Sequence, residues 1–353
     1  MVALFAAGGI IVDTVVAADR TVGPQTMGGN AVYSAAGARL WIDAVGIVGR
    51  VPSNYPQGFL DRLGDGGIDL SGVSSVDEAV HEGEWFFYRA DGSRADHLHA
   101  PMDVEPPFAA GTRLSPAERD AFQSSLAATP STGRDFASFR RRNPVRMDDV
   151  PPSYHQAEGA HLAANRPQEQ LAMAQALRDR GMIISVDPGS NASAYATEHL
   201  EPILRAASAF LPSEKELSIL APGLGAGDGL QHLRSYGPAL GIAKLGARGS
   251  MVLAVEGEPR ALPVCVTKAL DPTGAGDAFC GGFLAGLVLL GDPLAAACLG
   301  TVSASFAVED FGPFHLLATS RRSAMTRLAA FLETLDPALA DGLKSTLSRM
   351  EMQ

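Results

Sequence analysis

The chain has 353 residues, 46% of them hydrophobic and 19% charged, and carries a formal net charge of −11. That composition is globular and long enough for a large core, and the scattered charges, with no basic stripe, argue against binding nucleic acid through its phosphates. A small polyanion stays open as a ligand, because backbone dipoles and a metal ion can hold one.

The opening "MVALFAAGGIIVDTVV" reads as a buried strand over about Val2 to Ile11. It has no basic start and Asp13 interrupts it, so it does not read as a leader peptide. A helix is expected over 31–41, a strand from Ala44 to Val48 and a helix over 57–65. "EWFFYRADGSRADHL" reads as a hairpin turning at Asp91-Gly92. On its second arm, His97 and His99 share a face by their i, i+2 spacing and could bind a metal with Asp96 or Asp103, but they read better as lid lining or plain surface. Residues 100–153 are rich in proline, serine, alanine and arginine; one helix near 115–128 is expected, the rest irregular. A loop this long inside a compact domain points to a lid, an interface element or a mobile segment. Within it, "FRRRNPVR" is a basic cluster that reads as a solvated loop or subunit contact, or as a site for a phosphorylated effector.

From residue 159 the pattern is regular. "GAHLAA" is a strand, and Pro167 and Gly181 bound an amphipathic helix. "MIISVD", "ASAFLPS" and "ALGIAKLG" are further strands, with a helix at "EKELSIL". Continuous apolar strands alternating with helices predict a parallel sheet covered on both faces, with ligands at the strand C-terminal ends. Arg166 falls at that edge, as a phosphate or carboxylate contact or a solvated side chain. "GLGAGDG" (223–229) follows a helix, so it reads as a flexible loop and not a dinucleotide fingerprint. Antiparallel strands follow over 247–268, then helices from about 275, 294, 320 and 337. The apolar run from Ala278 to Gly291 is shorter than the about 20 residues a bilayer span needs. Cys265, Cys280 and Cys298 fit neither a zinc pattern nor a disulfide framework and read as thiols in a reducing compartment. A soluble cytoplasmic protein is expected.

The most informative stretch is "DPTGAGDAFCGGFLAGL", 271–287. Phe279, Phe283, Leu287 and Leu290 form one helical stripe facing a core, and Asp277 lies off it in the first turn. Gly274 and Gly276 let an anion approach the free N–H groups of that turn. Asp277 reads either as a helix-cap acid or as the carboxylate edge of an anion cradle, an arrangement suited to phosphoryl transfer.

This stretch closely resembles the C-terminal signature of the ribokinase-like (PfkB-type) carbohydrate kinases. The resemblance implies an α/β fold of three α/β/α layers with a mostly parallel central sheet and a small β lid. Residues 1–320 would form the kinase domain, with the lid from about 12–30 and 84–100, an atypical insertion over about 100–153, and C-terminal helices over 321–353 packed on the same domain. It implies Asp277 as catalytic base and the amides of Gly274, Ala275 and Gly276 as the hole for the transferred phosphoryl. "GGIIVDTVV" is similar to the family's first strand, which puts Asp13 on acceptor hydroxyls, and "MGGNAVYSAAGARLW" resembles its Gly-Gly signature, adding Gly28 and Gly29. The family's asparagine would fall at position 33, where this chain has Tyr33; Asn30 follows the glycines directly. "LPSEKEL" resembles the Asn-x-x-Glu element, which implies Glu216 for magnesium with Ser213 in the asparagine's place. "KLGARGSMVL" resembles the strand and turn beside the nucleotide, implying Lys244, Gly246 and Gly249, with Thr273 of the signature nearby. "SASFAVEDFGP" is similar to the late helix near the adenine and, in many members, a monovalent cation such as K+. A Walker motif is absent. The resemblance therefore implies ATP, Mg2+, a sugar or sugar derivative as acceptor, no membrane partner, and a homodimer, since many relatives pair through their lids. A nucleoside kinase, with Tyr33 and Phe86 or Phe87 forming a slot for the base, and a non-catalytic metabolite sensor are the alternatives.

Overall fold

The structure is a computed structural model that describes residues 1–237 and 240–347; Ala239, the first residue of one expected strand, and the end of the C-terminal helices after Leu347 lie outside them, as does the side chain of His97. The opening strand is in fact two, β1 (Leu4–Ala7) and β2 (Ile11–Val16), belonging to different sheets. Gly8-Gly9 makes the switch: a Cβ on Gly8 would press on Asn30 at 2.5 Å, and one on Gly9 on Arg140 at 2.9 Å. The chain continues through β3 (Thr26–Gly28), α1 (Asn30–Arg39), β4 (Val45–Pro52), α2 (Gln57–Asp65), β5 (Ile68–Val76), β6 (Glu82–Tyr88) and β7 (Arg94–Pro101). Next come α3 (Pro116–Ala127), α4 (Phe136–Arg142), β8 (Gly159–Leu162), α5 (Pro167–Arg178), β9 (Ile183–Val186), α6 (Ala196–Ala206), β10 (Ala209–Phe210), α7 (Glu214–Leu220) and α8 (Ala226–Arg234). The last part is β11 (Leu240–Lys244), β12 (Ser250–Leu253), β13 (Arg260–Leu262), α9 (Ala275–Leu290), α10 (Pro293–Ala307), α11 (Phe314–Ala318), α12 (Arg321–Leu332) and α13 (Pro337–Leu347).

The main sheet has the order β13-β12-β11-β10-β9-β8-β1-β4-β5, parallel from β11 to β5 with antiparallel β12 and β13 at one edge. Side-chain alternation along β1 sends Leu4 and Ala6 into one core and Phe5 and Ala7 into the other. The first core lies under α1, α9, α10, α12 and α13; the second lies under α5 to α8. The parallel strands therefore deliver their C-terminal ends to a single edge, where binding sites form in such sheets. The glycine-rich stretch expected to be a flexible loop instead starts α8 at Ala226, because Leu230 and Leu233 give it an apolar side to bury. Along α9 burial runs all round, not only along the expected stripe, and Gly281 lets α1 approach so closely that any Cβ there would collide with the Ser34 carbonyl.

A second, four-stranded sheet, β3-β2-β6-β7, forms the lid. Asp13 pairs with Glu84, Val15 with Phe86, and the intervening Thr14 and Val16 pair with Trp85 and Phe87. Alternation thus gives the lid an inner face with Asp13, Glu84, Phe86 and Tyr88, and an outer face with Val16, Trp85 and Phe87. The long segment after β7 covers that outer face and is more ordered than its composition suggests. Ser115 and Glu118 build a capping box that starts α3, and Phe122 then packs edge-on against Trp85 at 5.0 Å and Phe87 at 5.6 Å. Asp135 caps α4 by accepting the Ser138 N–H at 2.7 Å. A dimer built on the outer lid face would have to displace α3. Among the described residues no helix is long and apolar enough to cross a membrane.

Phe122→Ala should remove the main wedge between α3 and the lid, costing about 3 kcal/mol in denaturant unfolding. If the lid holds Asp13 against an acceptor, as the resemblance implies, the acceptor KM should rise while the nucleotide KM stays put; equal effects on both would show that α3 does not hold the lid.

Candidate active site

The N-terminus of α9 is set by Gly274, which has a left-handed φ of 73°. A side chain is excluded there twice, by that backbone and by the Tyr33 ring, which lies where a Cβ would be. Tyr33 is 1% exposed, and its hydroxyl is held above its ordinary range by burial and by Asp13 and Asp271. Of the three expected anion-hole amides, that of Ala275 already donates to the Pro272 carbonyl at 3.3 Å. A Cβ on Gly276 would come within 3.7 Å of the Lys244 ammonium, and both residues border one cavity.

Lys244 ends β11 and is ion-paired with Asp187, the residue after β9. The Sγ of Cys280, one turn into α9, is 3.6 Å from both the ammonium and Asp187 Oδ2. Burial opposes the lysine's charge, but Asp187, Cys280, Glu216 and Asp277 together hold its ammonium above the ordinary range. Asp277 keeps part of its surface open. Desolvation, then the Asp187 charge, push its carboxyl up to about 7, against the pull of Lys244. A base poised near neutrality suits proton abstraction better than the ordinary aspartate value of about 3.9.

Facing this group from the lid, Asp13 is 1% exposed and neither carboxylate oxygen has a partner. Burial, then Asp271 and Glu84, hold it well above the carboxylate range. Gly28 lies directly under it, where a side chain would occupy the same space. Asp271 accepts the Thr273 N–H at 2.9 Å, while its Oδ2 is buried and unpartnered. The Thr273 hydroxyl bonds Tyr88 of the lid at 3.1 Å, and Arg94 lies over the Phe86 ring at 4.3 Å.

A cavity of about 350 Å³ opens on the other side of the α9 N-terminus. Lys244, Gly246, Gly249, Ala275 and Gly276 line it, as the resemblance implies, and Phe279 and Val308 give it an apolar wall. Thr273 and Ser213 stand apart from its walls. Ser213 is the N-cap of α7, where its amide donates to Glu216 Oε2 at 2.6 Å and its hydroxyl accepts the Glu216 N–H at 3.3 Å. Burial and Asp187 raise the Glu216 carboxyl above its usual range. Asn30 is committed to backbone: its Oδ1 accepts the Gly9 N–H at 2.6 Å and its Nδ2 donates to Ala164 O at 3.3 Å. Gly29, at φ 109°, packs on the Gly9 carbonyl. Phe87 faces α3 and is not available to a ligand, and Arg166 lines a separate cavity. Asp187, Asp271, Glu84 and Arg94 were missed from sequence. Asp187 had a signal, since it ends a predicted strand at the ligand edge, and Asp271 opens the glycine signature itself. Among the described residues no three His, Cys, Asp or Glu side chains converge as a metal site, around His99 or elsewhere.

Comparison with known proteins bears on the fold and the class of the chain. The fold superposes on an Arabidopsis thaliana ribokinase complexed with ribose and ATP, with a TM-score of 0.65 and 19% identity over 93% of this chain and 99% of that one. A Burkholderia thailandensis nucleoside kinase in complex with inosine gives a TM-score of 0.66 and 16% identity over 93% and 96%. The architecture is ribokinase-like. Residues 152–319 match the family described as pfkB family carbohydrate kinase, and a cytidine kinase of Thermococcus kodakarensis is 26% identical over 81% of this chain and 88% of its own length. Residues 152–319 thus resemble a pfkB family carbohydrate kinase domain, and the chain is a kinase.

Two measurements probe this centre. If Asp277 must be ionised to act, kcat/KM should fall about tenfold per pH unit below about 7 and level off above it; a plateau persisting to about pH 5 would remove Asp277 as the titrating base. Asp13 is raised in the same direction, and its burial bears on stability. Its raised folded-state value means that ionising it costs stability, and the cost grows as pH rises above the unfolded value of about 3.9. Asp13→Asn should therefore raise Tm at neutral pH, with the gain shrinking toward about pH 4, while kcat/KM for the acceptor drops.

Proposed function

We propose that the enzyme transfers the γ-phosphoryl group of ATP to a hydroxyl of a small sugar or nucleoside. Asp277 accepts the proton of the attacking oxygen. The observation that carries this reading is the placing of Asp277, near its titration point, at the amide end of α9 between the lid acid Asp13 and the Lys244 ion pair. Adenine fits the apolar wall of the 350 Å³ cavity, and its phosphates then run toward Gly276 and Lys244. Asp13, with two unpartnered oxygens, can accept hydrogen bonds from acceptor hydroxyls and so recover the cost of its burial. The Thr273–Tyr88 bond ties the glycine turn to the lid, so lid position and anion hole move together.

Mg2+ usually keeps several waters and binds through one or two carboxylates plus substrate phosphates. Glu216 would hold it through a water, having one oxygen engaged by Ser213. Magnesium, when bound, neutralises charge shared by the β- and γ-phosphates. The unpartnered Asp271 Oδ2 is a donor that a monovalent cation could use. The nucleoside alternative is favoured by the names of relatives such as the cytidine kinase, not by an aromatic slot, since Tyr33 is packed on Gly274 and Phe86 lies under Arg94.

The test is ADP release from magnesium-ATP over a panel of ketoses, aldoses and nucleosides. Asp277→Asn should lower kcat by about 10²–10⁴-fold with ATP affinity retained. A variant of near wild-type kcat would refute the base, and ligand binding without turnover in either protein would favour a sensor.

A further inference from the structure

Beside the lid and on the same sheet edge lies a larger cavity, of about 570 Å³. Its floor is Gly8-Gly9, and the side chains of Arg50, Arg140, Arg141 and Arg166 stand around it, with no acidic residue in its walls. Three distant parts of the chain supply them: β4, the two arginines of α4, and the residue before α5. In a chain of net charge −11, four guanidinium groups around one void are a costly arrangement unless an anion enters.

Their charges are only partly answered by the protein. Arg50 pairs with Asp149 at 3.0 Å, and Arg140 reaches Glu84 at 3.6 Å. Arg141 donates to the Ser138 hydroxyl at 2.6 Å and Arg166 to the Arg141 carbonyl, both neutral acceptors. Among the described residues no carboxylate pairs with Arg141 or Arg166. In addition, the Nε of Arg140 is buried without a partner. A buried donor left unmade costs free energy that a ligand oxygen would recover.

The cavity also adjoins the acceptor side of the active site. Arg140 lies across Gly9, whose amide bonds Asn30 at the head of α1. Its partner Glu84 stands opposite Asp13 in the lid register. We propose that the phosphate acceptor carries an anionic group, a phosphomonoester or a carboxylate, which the arginine cavity binds while the acceptor's hydroxyl lies at Asp13 and Asp277. This names the substrate class for the acceptor reading above and rests on it. Arginine suits the task because its planar fork meets carboxylate or phosphate oxygens in pairs.

The experiment compares matched acceptors: a neutral sugar, its phosphate and its sugar acid, and a nucleoside with its monophosphate. Each is assayed by ADP release, and each is titrated by calorimetry with a non-hydrolysable ATP analogue present, so binding is read even without turnover. Wild type is run beside Arg141→Gln, Arg166→Gln, the double variant, Arg166→Lys and Asp277→Asn, with ATP-analogue affinity as the check on folding. An anionic member should be preferred at least about tenfold, and each Arg→Gln change should raise its KM about 10- to 100-fold with kcat changed only a few-fold. Arg166→Lys should recover part of the loss. Inorganic phosphate should compete with the acceptor in wild type and not in the double variant. Phosphate esters preferred over acids, or the reverse, identifies the group. Equal binding of neutral and anionic members, indifferent to the arginine changes, overturns the proposal and leaves the kinase reading intact. Phosphate that binds without competing with the acceptor makes the cavity an effector site and overturns it as well. Turnover surviving in Asp277→Asn would instead sink the base assignment alone.

Discussion

The geometry of the site depends on the buried ion pair between Lys244 and Asp187. Removing two charges from water costs several kcal/mol per ion, recovered only when the pair is well placed and its remaining valences are used. Here Asp187 spends its other oxygen on the Gly189 N–H at 2.9 Å, and Cys280 of α9 lies against both charges. The pair joins the ends of β9 and β11 across β10, and through Cys280 it fixes where α9 begins relative to the sheet. It also sets the charge at the centre. One ammonium faces Asp187, Glu216 and Asp277; burial first, and then the Asp187 charge that Lys244 only partly offsets, move the titration of Asp277 to about 7. A buried ion pair is weak evidence for stability; its value here lies in register and in the tuning of a neighbour.

The lid shows a second use of the same economy. Its two faces are assigned by nothing more than the period of a strand: odd positions in β2 and even positions in β6 look inward, carrying acid and aromatic groups, and their neighbours look outward, carrying Trp85 and Phe87. An exposed sheet face of that kind is an invitation to pair with another chain. The segment after β7 removes the invitation by laying α3 over it, then returns through α4, which places Arg140 and Arg141 on the opposite, ligand-facing side. One segment thus closes the lid's back and supplies half of the arginines at its front.

Much of this was legible in the sequence because it is local. Pro167 and Gly181 bound a helix, Asp91-Gly92 turns a hairpin, and the run from Gly274 to Asp277 announces a helix start; each depends on residues a few positions apart. The misses share a different cause. The break between β1 and β2 reflects what Gly8 and Gly9 meet in space, Asn30 and Arg140, which no nearby residue reveals. Asn30, a plausible substrate ligand by its neighbours in sequence, is consumed by the Gly9 amide and the Ala164 carbonyl, one of them 134 positions away. Arg50 and Arg166 each look like solvated surface residues until the topology β8-β1-β4 brings their strand ends together.

That topology also separates charge along one sheet edge. Over β9 to β11 sit Asp187, Glu216 and Lys244 with Asp277 above them, an acidic centre with a single buried cation. Over β1, β4 and β8 sit the four arginines. An acceptor bearing an anionic group would meet a repulsive field at one end of this edge and an attractive one at the other, and like-charge contact at short range costs several kcal/mol. Only one orientation is then open to it, with the anion among the arginines and a hydroxyl directed to the acids. Asp13 completes the constraint: buried without partners, it is stabilised only by an acceptor that brings hydroxyl donors to it, and a molecule entering anion-first would leave it unpaired. Orientation is thereby decided by electrostatics before any shape matching at the lid takes place.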